Sequence, residues 1–530
     1  MAKNLNKWHF VLVMVLCTIT NSARSQFTLT GQLRTRTEIR NGFGNLVLNG
    51  SKSAAFTSQR TRLAFGYTMD RLVFGLSIQD VRVWGQDASS ISNADGNKLM
   101  VHEAWAGLVL ANKADSSIKF KLVDMMTLKV GRQELIYDDS RLIGNLDWLQ
   151  QARRFDMALL KTMHKGWQVD IGYAFNQNTD ASGVTGTAYI PANLPATVKN
   201  SLGTLVTTPA GMITLAAGGN AANASTKTGT PVFLNPPNTN GGTQDYKSFT
   251  SVYISRLFAQ TKFSGLFFND HFGKYKLDSV GNPIAGYTYG RRFISAGKTD
   301  EFDYSGTNSR YTYGLMMNST LGNSTGFGKI AIQAAYYAQS GKDRDGVTMK
   351  NAYHYTISAA WQKGKITVMP GYDVLSGNNS ATAQDEKFDP LYGTPHKFWG
   401  YMDYFYAGTG SAAGGLNNPF LKVKYTNNAL TLGIDYHHFS LNKDMAKADG
   451  STIGKNLGNE IDLGMNYTIS RVTNIELGYS TMFATSNMAF AKGQAVTDAA
   501  ADNYRKTGNW FYASLKFMPD FLYKKPAKDK

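Results

Sequence analysis

The chain has 530 residues, of which 42% are hydrophobic, 12% aromatic and 18% charged, and its formal net charge at pH 7 is +17. A chain of this length usually folds into several soluble domains, but this sequence does not divide into blocks that would each form a separate core. No apolar run after residue 25 is long enough to span a bilayer as a helix, which excludes a helical membrane protein. One large closed β-sheet is the simpler interpretation, because each strand of a transmembrane β-barrel contributes only one apolar face.

The N-terminus has the pattern of a secretory signal. Two lysines precede an apolar run from Phe10 to Ile19, and small residues follow it. The run is too short to cross a bilayer, so the sequence predicts a signal peptide over residues 1–25. Residues 26–530 are predicted to form a single barrel in the outer membrane of a Gram-negative bacterium, with a short basic C-terminal tail. An exported basic chain of this kind is not expected to bind nucleic acid.

Side chains alternate between polar and apolar with a period of two, which is typical of strands with one face toward lipid. In residues 60–67, Arg60 and Arg62 share one face, whereas Leu63 and Phe65 share the other. The predicted fold class is all-β, a transmembrane antiparallel β-barrel of about 18 strands, an even number as bacterial barrels require. The predicted strands lie at residues 27–39, 57–68, 71–83, 100–110, 127–134, 154–164, 167–176, 246–257, 260–269, 309–318, 329–338, 351–361, 365–375, 419–426, 429–439, 459–468, 473–483 and 508–518.

The predicted connections alternate between short and long. Those after even-numbered strands are mostly tight turns, as at Asp70 and Lys165, and those after odd-numbered strands are longer. With the N-terminus in the periplasm, this pattern predicts short periplasmic turns and long external loops, the usual asymmetry of bacterial barrels. The connections at 111–126 and 319–328 are predicted exceptions. The stretch from 177 to 245, rich in Asn, Gly, Thr, Ala and Pro, is predicted to be a long external loop.

The densest polar segment, residues 131–157, carries four arginines and five acidic residues between two predicted strands. A loop in solvent does not require such a balance of charge. A loop inside a barrel does, because buried charges must be paired. We therefore predict that this segment folds into the barrel lumen, with a plain exposed loop as the alternative.

Several motifs in the chain occur in a recognisable order. Residues 131–133, 139–144 and 154–156 have the forms Gly-Arg-Gln, Asp-x-Arg-Leu-x-Gly and Arg-Phe-Asp. Later stretches are His-x-Phe-x-Gly-Tyr-Met-Asp at 396–403 and Gly-x-Glu-x-Asp at 458–462. Together they resemble the alginate export family of outer-membrane proteins over most of the chain. The resemblance implies an eighteen-stranded barrel with an Arg-rich, electropositive pore that passes an anionic polyuronate.

One feature differs from the family pattern. Alginate-secreting members have a long periplasmic turn late in the barrel that helps to occlude the pore, whereas here the turn between Tyr467 and Asn474 is short. This difference leaves open both gating from the periplasmic side and alginate itself as the cargo.

The alternation and the motifs together predict which residues line the pore. A polyuronate carries one carboxylate per sugar, and the Arg guanidinium presents a fork that matches a carboxylate in geometry. The predicted pore-lining arginines are Arg34, Arg36, Arg60, Arg62, Arg132, Arg141, Arg153 and Arg154. Asp138, Asp139 and Asp156 are predicted to hold these arginines in position. The alternative for any one arginine is a cross-strand ion pair.

The sequence therefore predicts an outer-membrane channel that conducts an anionic polysaccharide, with export as the favoured direction. A general anion-selective porin, or an uptake channel for acidic oligosaccharides, is the first alternative, and a barrel-embedded hydrolase is the second. No enzyme activity or cofactor is predicted, because the adjacent Asp138 and Asp139 would point apart in a strand and so do not form a catalytic pair. No metal is predicted, because the spacing of His437 and His438 does not suit two ligands on one strand face. The predicted partners are the polysaccharide, outer-membrane lipid and a periplasmic export scaffold.

Overall fold

The computed structural model describes residues 27–85, 99–176, 245–284, 287–293, 306–324, 326–379, 384–407 and 410–523, and five short strands between residues 197 and 231. The predicted signal peptide, the basic tail from Lys524 and most of the predicted loop at 177–245 lie outside the described residues.

Eighteen antiparallel strands form one closed sheet, in which each strand pairs with its neighbours along the chain and the first pairs with the last. The barrel strands are β1 (Phe27–Asn41), β2 (Ala54–Met69), β3 (Leu72–Val83), β4 (Leu99–Asn112), β5 (Met125–Gln133), β6 (Phe155–His164), β7 (Trp167–Phe175), β8 (Ser248–Phe258), β9 (Thr261–Gly273), β10 (Thr307–Asn323), β11 (Gly328–Lys342), β12 (Thr348–Lys363), β13 (Ile366–Leu375), β14 (Leu416–Asn427), β15 (Leu430–Ser440), β16 (Asn456–Ser470), β17 (Thr473–Ala484) and β18 (Thr507–Phe517). Every predicted strand is present, which confirms the predicted fold class.

Smaller elements lie in the connections between barrel strands. The short strands are Thr197–Lys199, Leu205–Thr207, Met212–Ala217, Asn220–Ala221, Thr230–Pro231, Tyr275–Ile284, Tyr287–Phe293, Met445–Ala446 and Thr452–Ile453. Two α-helices, Ser486–Ala491 and Asp498–Asp502, lie between β17 and β18, and a 3-10 helix spans Pro395–Lys397. No helix in the described part of the chain is long and apolar enough to cross a membrane.

Side chains of the barrel strands alternate between the lumen and the outer surface as predicted. In β7, Asp170 is 1% exposed inside the barrel, whereas Ile171 and Tyr173 are 48% and 51% exposed outside. In β16, Glu460 is buried and Leu463 is exposed. An apolar outer face of this kind suits lipid, and the polar side chains are left to the lumen.

The two rims of the barrel differ. Phe27, the first residue of β1, and Phe517, the last residue of β18, lie on the same rim as the short turns, which we call the turn rim. The opposite rim is called the loop rim. Asp70, in the turn between β2 and β3, has a φ of 49°, the positive value that two-residue hairpin turns favour.

The prediction of a longer connection at 319–328 is wrong. Strand β10 ends at Asn323 and β11 begins at Gly328, so only residues 324–327 connect them. The other predicted exception is present, because residues 113–124 separate β4 from β5.

The hydrophobic core lies inside the barrel, because two connections from the loop rim fold into the lumen. We call residues 134–154 inner loop 1 and residues 376–415 inner loop 2. Their apolar side chains pack on one another and on the wall, and Ile143 and Trp399 are almost completely buried. The prediction that residues 131–157 fold into the lumen is confirmed for inner loop 1.

Candidate functional site

The arginines of β1 and β2 project into the lumen side by side. Arg34 of β1 lies directly opposite Arg60 of β2 in the strand register. Two guanidinium groups in this position repel each other unless an anion lies between them. Asp147 of inner loop 1 supplies the anion, since its carboxylate lies 3.4 Å from Arg34 Nη1 and 2.8 Å from Arg60 Nη2.

The backbone of inner loop 1 adds further contacts to the same arginines. Arg34 Nη1 donates to the Asp147 carbonyl oxygen at 2.7 Å, and its Nε donates to Gln150 Oε1 at 2.9 Å. Arg36 donates to the Trp148 carbonyl oxygen at 2.8 Å, and its guanidinium lies 4.1 Å from the centre of the Trp148 ring. These bonds fasten the loop to the wall.

These contacts differ from the predicted partners of the arginines. Arg34, Arg36 and Arg60 face inward as predicted, but they are at most 5% exposed and contact inner loop 1. Asp147 and backbone carbonyl groups hold Arg34 and Arg60, and Glu38, 2.9 Å from Arg36 Nε, holds Arg36 together with the Trp148 carbonyl oxygen, rather than the three predicted aspartates. Sequence reasoning missed Asp147 because its partners lie far away in the chain and no local spacing connects them.

Arg62 belongs to a neighbouring polar cluster at the start of inner loop 1. Its guanidinium donates to Gln79 Oε1 at 2.7 Å and lies 3.8 Å from Glu134 Oε1. The same Glu134 carboxylate lies 2.8 Å from His102 Nε2 and accepts a hydrogen bond from Asn145 Nδ2 at 2.7 Å. Glu134 therefore connects β2, β4 and the loop.

Ligand atoms of His102, Glu103 and Glu134 lie within 4.8 Å of one another, the one group among the described residues that could hold a metal ion. Imidazole nitrogen and carboxylate oxygen are common ligands of divalent metals. However, Arg62 already places a positive charge near Glu134, and Asn145 donates to it. The Glu134 carboxylate is thus already bound by Arg62, His102 and Asn145, whereas His102 Nδ1 is buried without a partner in the described part of the chain.

Arg141 and Arg153 lie in the packed interior. Arg141 Nη1 lies 2.7 Å from Asp373 of β13, and its Nε lies 3.3 Å from Asp139. Burial lowers the pKa of Arg141, but the two carboxylates more than offset this effect and raise it. Arg153 donates to the Gly393 carbonyl oxygen at 2.8 Å and so joins the two inner loops, and burial lowers its pKa to about 10.

Asp138 holds inner loop 1 to a different part of the wall. Its carboxylate accepts hydrogen bonds from the Tyr253 hydroxyl and the Ser264 hydroxyl, each at 2.8 Å. Lys262 Nζ lies 3.2 Å from it. Asp138 therefore anchors the loop to β8 and β9, whereas the sequence predicted an arginine as its partner.

Arg132 and Asp156 do not lie with the other predicted residues. Phe155 and Met157, on either side of Asp156, are at most 4% exposed inside the barrel, so the strand alternation directs Asp156 outward. It pairs with Arg132 at 2.8 Å across β5 and β6, on the outer face near the loop rim. Arg154 forms no ion pair with a described residue. The prediction of a lumen position for Arg132 and Asp156 is corrected, because it relied on motif membership rather than strand parity.

Lysines near the turn rim line the lumen, and sequence reasoning did not single them out. They share the inward parity of buried polar neighbours, as Lys262 does with Ser264 and Lys516 does with Ser514. We call this set the lysine ring: Lys129, Lys161, Lys262, Lys329, Lys422, Lys424 and Lys516. The signal that could have found them is the alternation within each strand, read for lysine as it was read for arginine.

The lysine ring has partial charge compensation. Lys422 Nζ lies 2.7 Å from Asp435, and Lys516 Nζ lies 3.3 Å from Glu476. Lys161 is 49% exposed, and Lys424 forms no ion pair or hydrogen bond with any described residue. The carboxylates on the same part of the inner face are fewer than the lysines: Glu103, Asp170, Asp435, Asp462 and Glu476.

A cavity of about 480 Å³ lies between inner loop 2 and the wall from β11 to β16, on the side of the lysine ring. Lys397 and Phe398 of inner loop 2, and Lys422 and Lys424 of β14, are among its lining residues. In such a cavity the lysines can bind an anionic group through their charge, and the aromatic ring can contact an apolar surface of the same ligand.

The closed eighteen-stranded sheet, its apolar outer face and its charged lumen define an outer-membrane β-barrel. Residues 25–174 match the model of the alginate export family, so the resemblance is confirmed for β1–β7 and inner loop 1. The motifs at 396–403 and 458–462 lie beyond the matched residues. No curated protein significantly matches the sequence.

Solved structures from Pseudomonas aeruginosa have a similar fold. OccK11 (OpdR) is 11% identical, with a TM-score of 0.50 over 93% of this chain and 96% of that chain. OccK9 (OpdG) is 11% identical, with a TM-score of 0.50 over 94% of this chain and 99% of that chain. At such low identity the similarity concerns the fold alone.

Proposed function

We propose that this protein is a channel that conducts an anionic polysaccharide of the polyuronate class across the outer membrane, with export as its direction. The proposal assigns no enzyme chemistry, cofactor or metal to the barrel. It implies outer-membrane lipid around the apolar face and a periplasmic export scaffold at the turn rim.

The lysine ring carries this proposal. Its ammonium groups surround the lumen near the turn rim, and members such as Lys161 and Lys424 remain accessible to solvent. Rings of Lys or Arg are the usual means by which pores favour anions. The match of residues 25–174 to the alginate export family supports a polysaccharide as the cargo.

The cationic residues of the lumen have two different roles in this proposal: one group holds inner loop 1, and the other contacts the cargo. Buried arginines such as Arg34 and Arg60 hold inner loop 1, so they are not available to a passing carboxylate. Lysines instead meet the cargo as compact point charges. Because several of these lysines also have carboxylate partners, they bind the polymer weakly enough for it to pass through the pore.

Block of single-channel current by polyuronate tests the proposal. The mature protein is refolded into a planar bilayer, and polyuronate is added to either side. We expect concentration-dependent block that weakens in Lys424→Glu. The matched control is Lys363→Glu, which makes the same charge change at the turn rim on the outer face, beside the exposed Ile366. Block that is absent, or equally weakened by both variants, would contradict the proposal.

Uptake of acidic oligosaccharides is the second candidate, and the size of the cavity favours it. A space of about 480 Å³ holds only a short saccharide segment. If short oligouronates block the current as well as the long polymer does, and move inward in vesicles loaded with the protein, uptake replaces export.

A further inference from the structure

Two motifs that are far apart in the sequence meet at the wall of the barrel. The first is residues 396–403 in inner loop 2, and the second is residues 458–462 in β16. Met402 N–H donates to Glu460 Oε1 at 2.8 Å, and Tyr401 N–H donates to Asp462 Oδ2 at 3.4 Å. The two carboxyl groups thus accept hydrogen bonds from consecutive backbone amides of the loop.

The loop approaches the strand so closely that Gly400 is required at the contact. Gly400 has a φ of 85°, and a Cβ at this position would lie 2.6 Å from Glu460 Oε1. Docking of inner loop 2 therefore depends directly on the position of the Glu460 carboxyl group.

Glu460 and Asp462 are buried without a cation. Their exposed fractions are 0% and 1%, and neither forms an ion pair with a lysine or arginine in the described part of the chain. Two like charges cannot both persist at such close range in a medium of low dielectric constant. Glu460 and Asp462 are two residues apart in β16, so their side chains share the inner face, and they accept from neighbouring amides of the loop. Two carboxyl groups placed side by side in this way can hydrogen-bond to each other only if one of them carries a proton.

The remaining buried oxygen atoms agree with a shared proton. Glu460 Oε2 and Asp462 Oδ1 are both buried and have no hydrogen-bond partner among the described residues. An unsatisfied buried acceptor costs about 1–3 kcal/mol, more for a charged group. The buried Ser480 hydroxyl lies opposite Asp462 in the register and can serve that residue, but Met482 lies opposite Glu460 and offers no side-chain donor. One proton between the two carboxyl groups supplies a donor for Glu460.

The charged and titratable groups around the pair do not replace this proton. On the wall, Lys422 is bound to Asp435 at 2.7 Å, and His437, opposite Glu460 in the register, is bonded through Nδ1 to Asn418. On the loop, Asp403 is 2.9 Å from His396, and Tyr401 is neutral at ordinary pH. Tyr512 of β18 is likewise neutral. Lys492, in the connection between β17 and β18, donates from Nζ to the Tyr404 carbonyl oxygen at 2.8 Å.

We propose that Glu460 and Asp462 share one proton when inner loop 2 is docked, and that loss of this proton as the pH rises releases the loop from the wall. The docked state holds a proton that separate, solvated carboxyl groups lose near pH 4. Docking is therefore favoured at low pH and weakens as the pH increases. Glu460 and Asp462 are positioning residues, because they act through the loop and not on the cargo.

Thiol labelling tests this proposal without any cargo. Ala412 of inner loop 2 is 1% exposed, and the only native cysteine, Cys17, precedes the described barrel. In Ala412→Cys, made with Cys17 absent, a maleimide can react only when the loop leaves its docked position. We expect the labelling rate, corrected for the thiolate fraction, to rise with pH by up to about tenfold per unit, the limit for one released proton.

Glu460→Gln and Asp462→Asn in the same background keep a permanent donor in place of the proton. We expect the corrected labelling rate to become independent of pH in both, whereas Asp156→Asn on the outer face leaves the parental pH dependence. Gel mobility of the folded barrel verifies folding of each variant, and either carboxyl variant suffices if the other does not fold.

A flat pH profile in the parent, or an unchanged slope in both carboxyl variants, would overturn the proposal. This result concerns loop docking only. The labelling experiment uses no cargo, so it does not depend on the proposed function. If polyuronate failed to block the channel, the labelling result would still be valid.

Discussion

The carboxylate of Asp147 lies 2.8 Å from the guanidinium of Arg60, and this pair joins inner loop 1 to the barrel wall. Arg60 is completely buried, whereas Asp147 is 40% exposed to the lumen. The arginine is therefore fixed within the wall, and the aspartate can be removed without creating a void in the core.

Loss of the Asp147 carboxylate should loosen inner loop 1. In Asp147→Ala, Arg34 and Arg60 face each other without an anion, and we expect the free energy of unfolding to fall by about 1–3 kcal/mol. Urea titration followed by tryptophan fluorescence measures this change. Asp156→Asn is the control, since its pair with Arg132 is solvent-exposed and worth less than about 1 kcal/mol. Equal losses in both variants would show that Asp147 is not an anchor.

Gly400 should not tolerate a side chain. Gly400→Ala places a methyl group against Glu460 in a backbone conformation with φ of 85°, and we expect a cost of about 1–3 kcal/mol together with faster proteolysis of inner loop 2. Gly464→Ala in the same strand as Glu460 is the matched control, because nothing lies within 4 Å of its added Cβ. Loop cleavage at the parental rate in Gly400→Ala would argue against a close contact.

Acid should weaken the anchor of inner loop 2 at Asp389. Its Oδ2 lies 2.6 Å from Arg310 and 2.9 Å from Arg344. Burial alone would raise the pKa of Asp389. The two guanidinium groups have a larger effect in the opposite direction and hold the pKa well below its usual range. A depressed carboxyl pKa contributes stability above its unfolded value of about 4 and loses it as the pH falls through the folded value.

We therefore expect proteolysis of inner loop 2 to accelerate below about pH 4 in the parent. Asp389→Asn removes the titrating group, so its cleavage rate should already be high at about pH 4 and change little below it. Asp444→Asn, at an exposed pair with Lys455, should behave as the parent does. A parental profile in Asp389→Asn would assign the acid effect to other groups.

The barrel could be predicted from the sequence because strand alternation is local. Trp167 to Phe175 shows which side chains face inward without knowledge of any partner, and Asp170 lies inside as this pattern requires. The lumen position of inner loop 1 followed from its charge balance, since buried charges require partners.

The partners of the charged residues could not be predicted in the same way. Asp147 reaches Arg34 and Arg60 only because the closed sheet brings inner loop 1 against β1 and β2. Asp156 was grouped with pore residues by its motif, although the parity of Phe155 directs it outward. The contact between Met402 and Glu460 likewise depends on closure of the barrel, which no local pattern encodes.

The reversal potential under a salt gradient tests most directly the claim that lysines near the turn rim select for anions. We expect the parent channel to prefer anions, Lys161→Glu/Lys424→Glu to lose or invert this preference, and Lys363→Glu on the outer face to keep it. A cation-selective parent, or a double variant whose reversal potential equals that of the parent, would contradict the account.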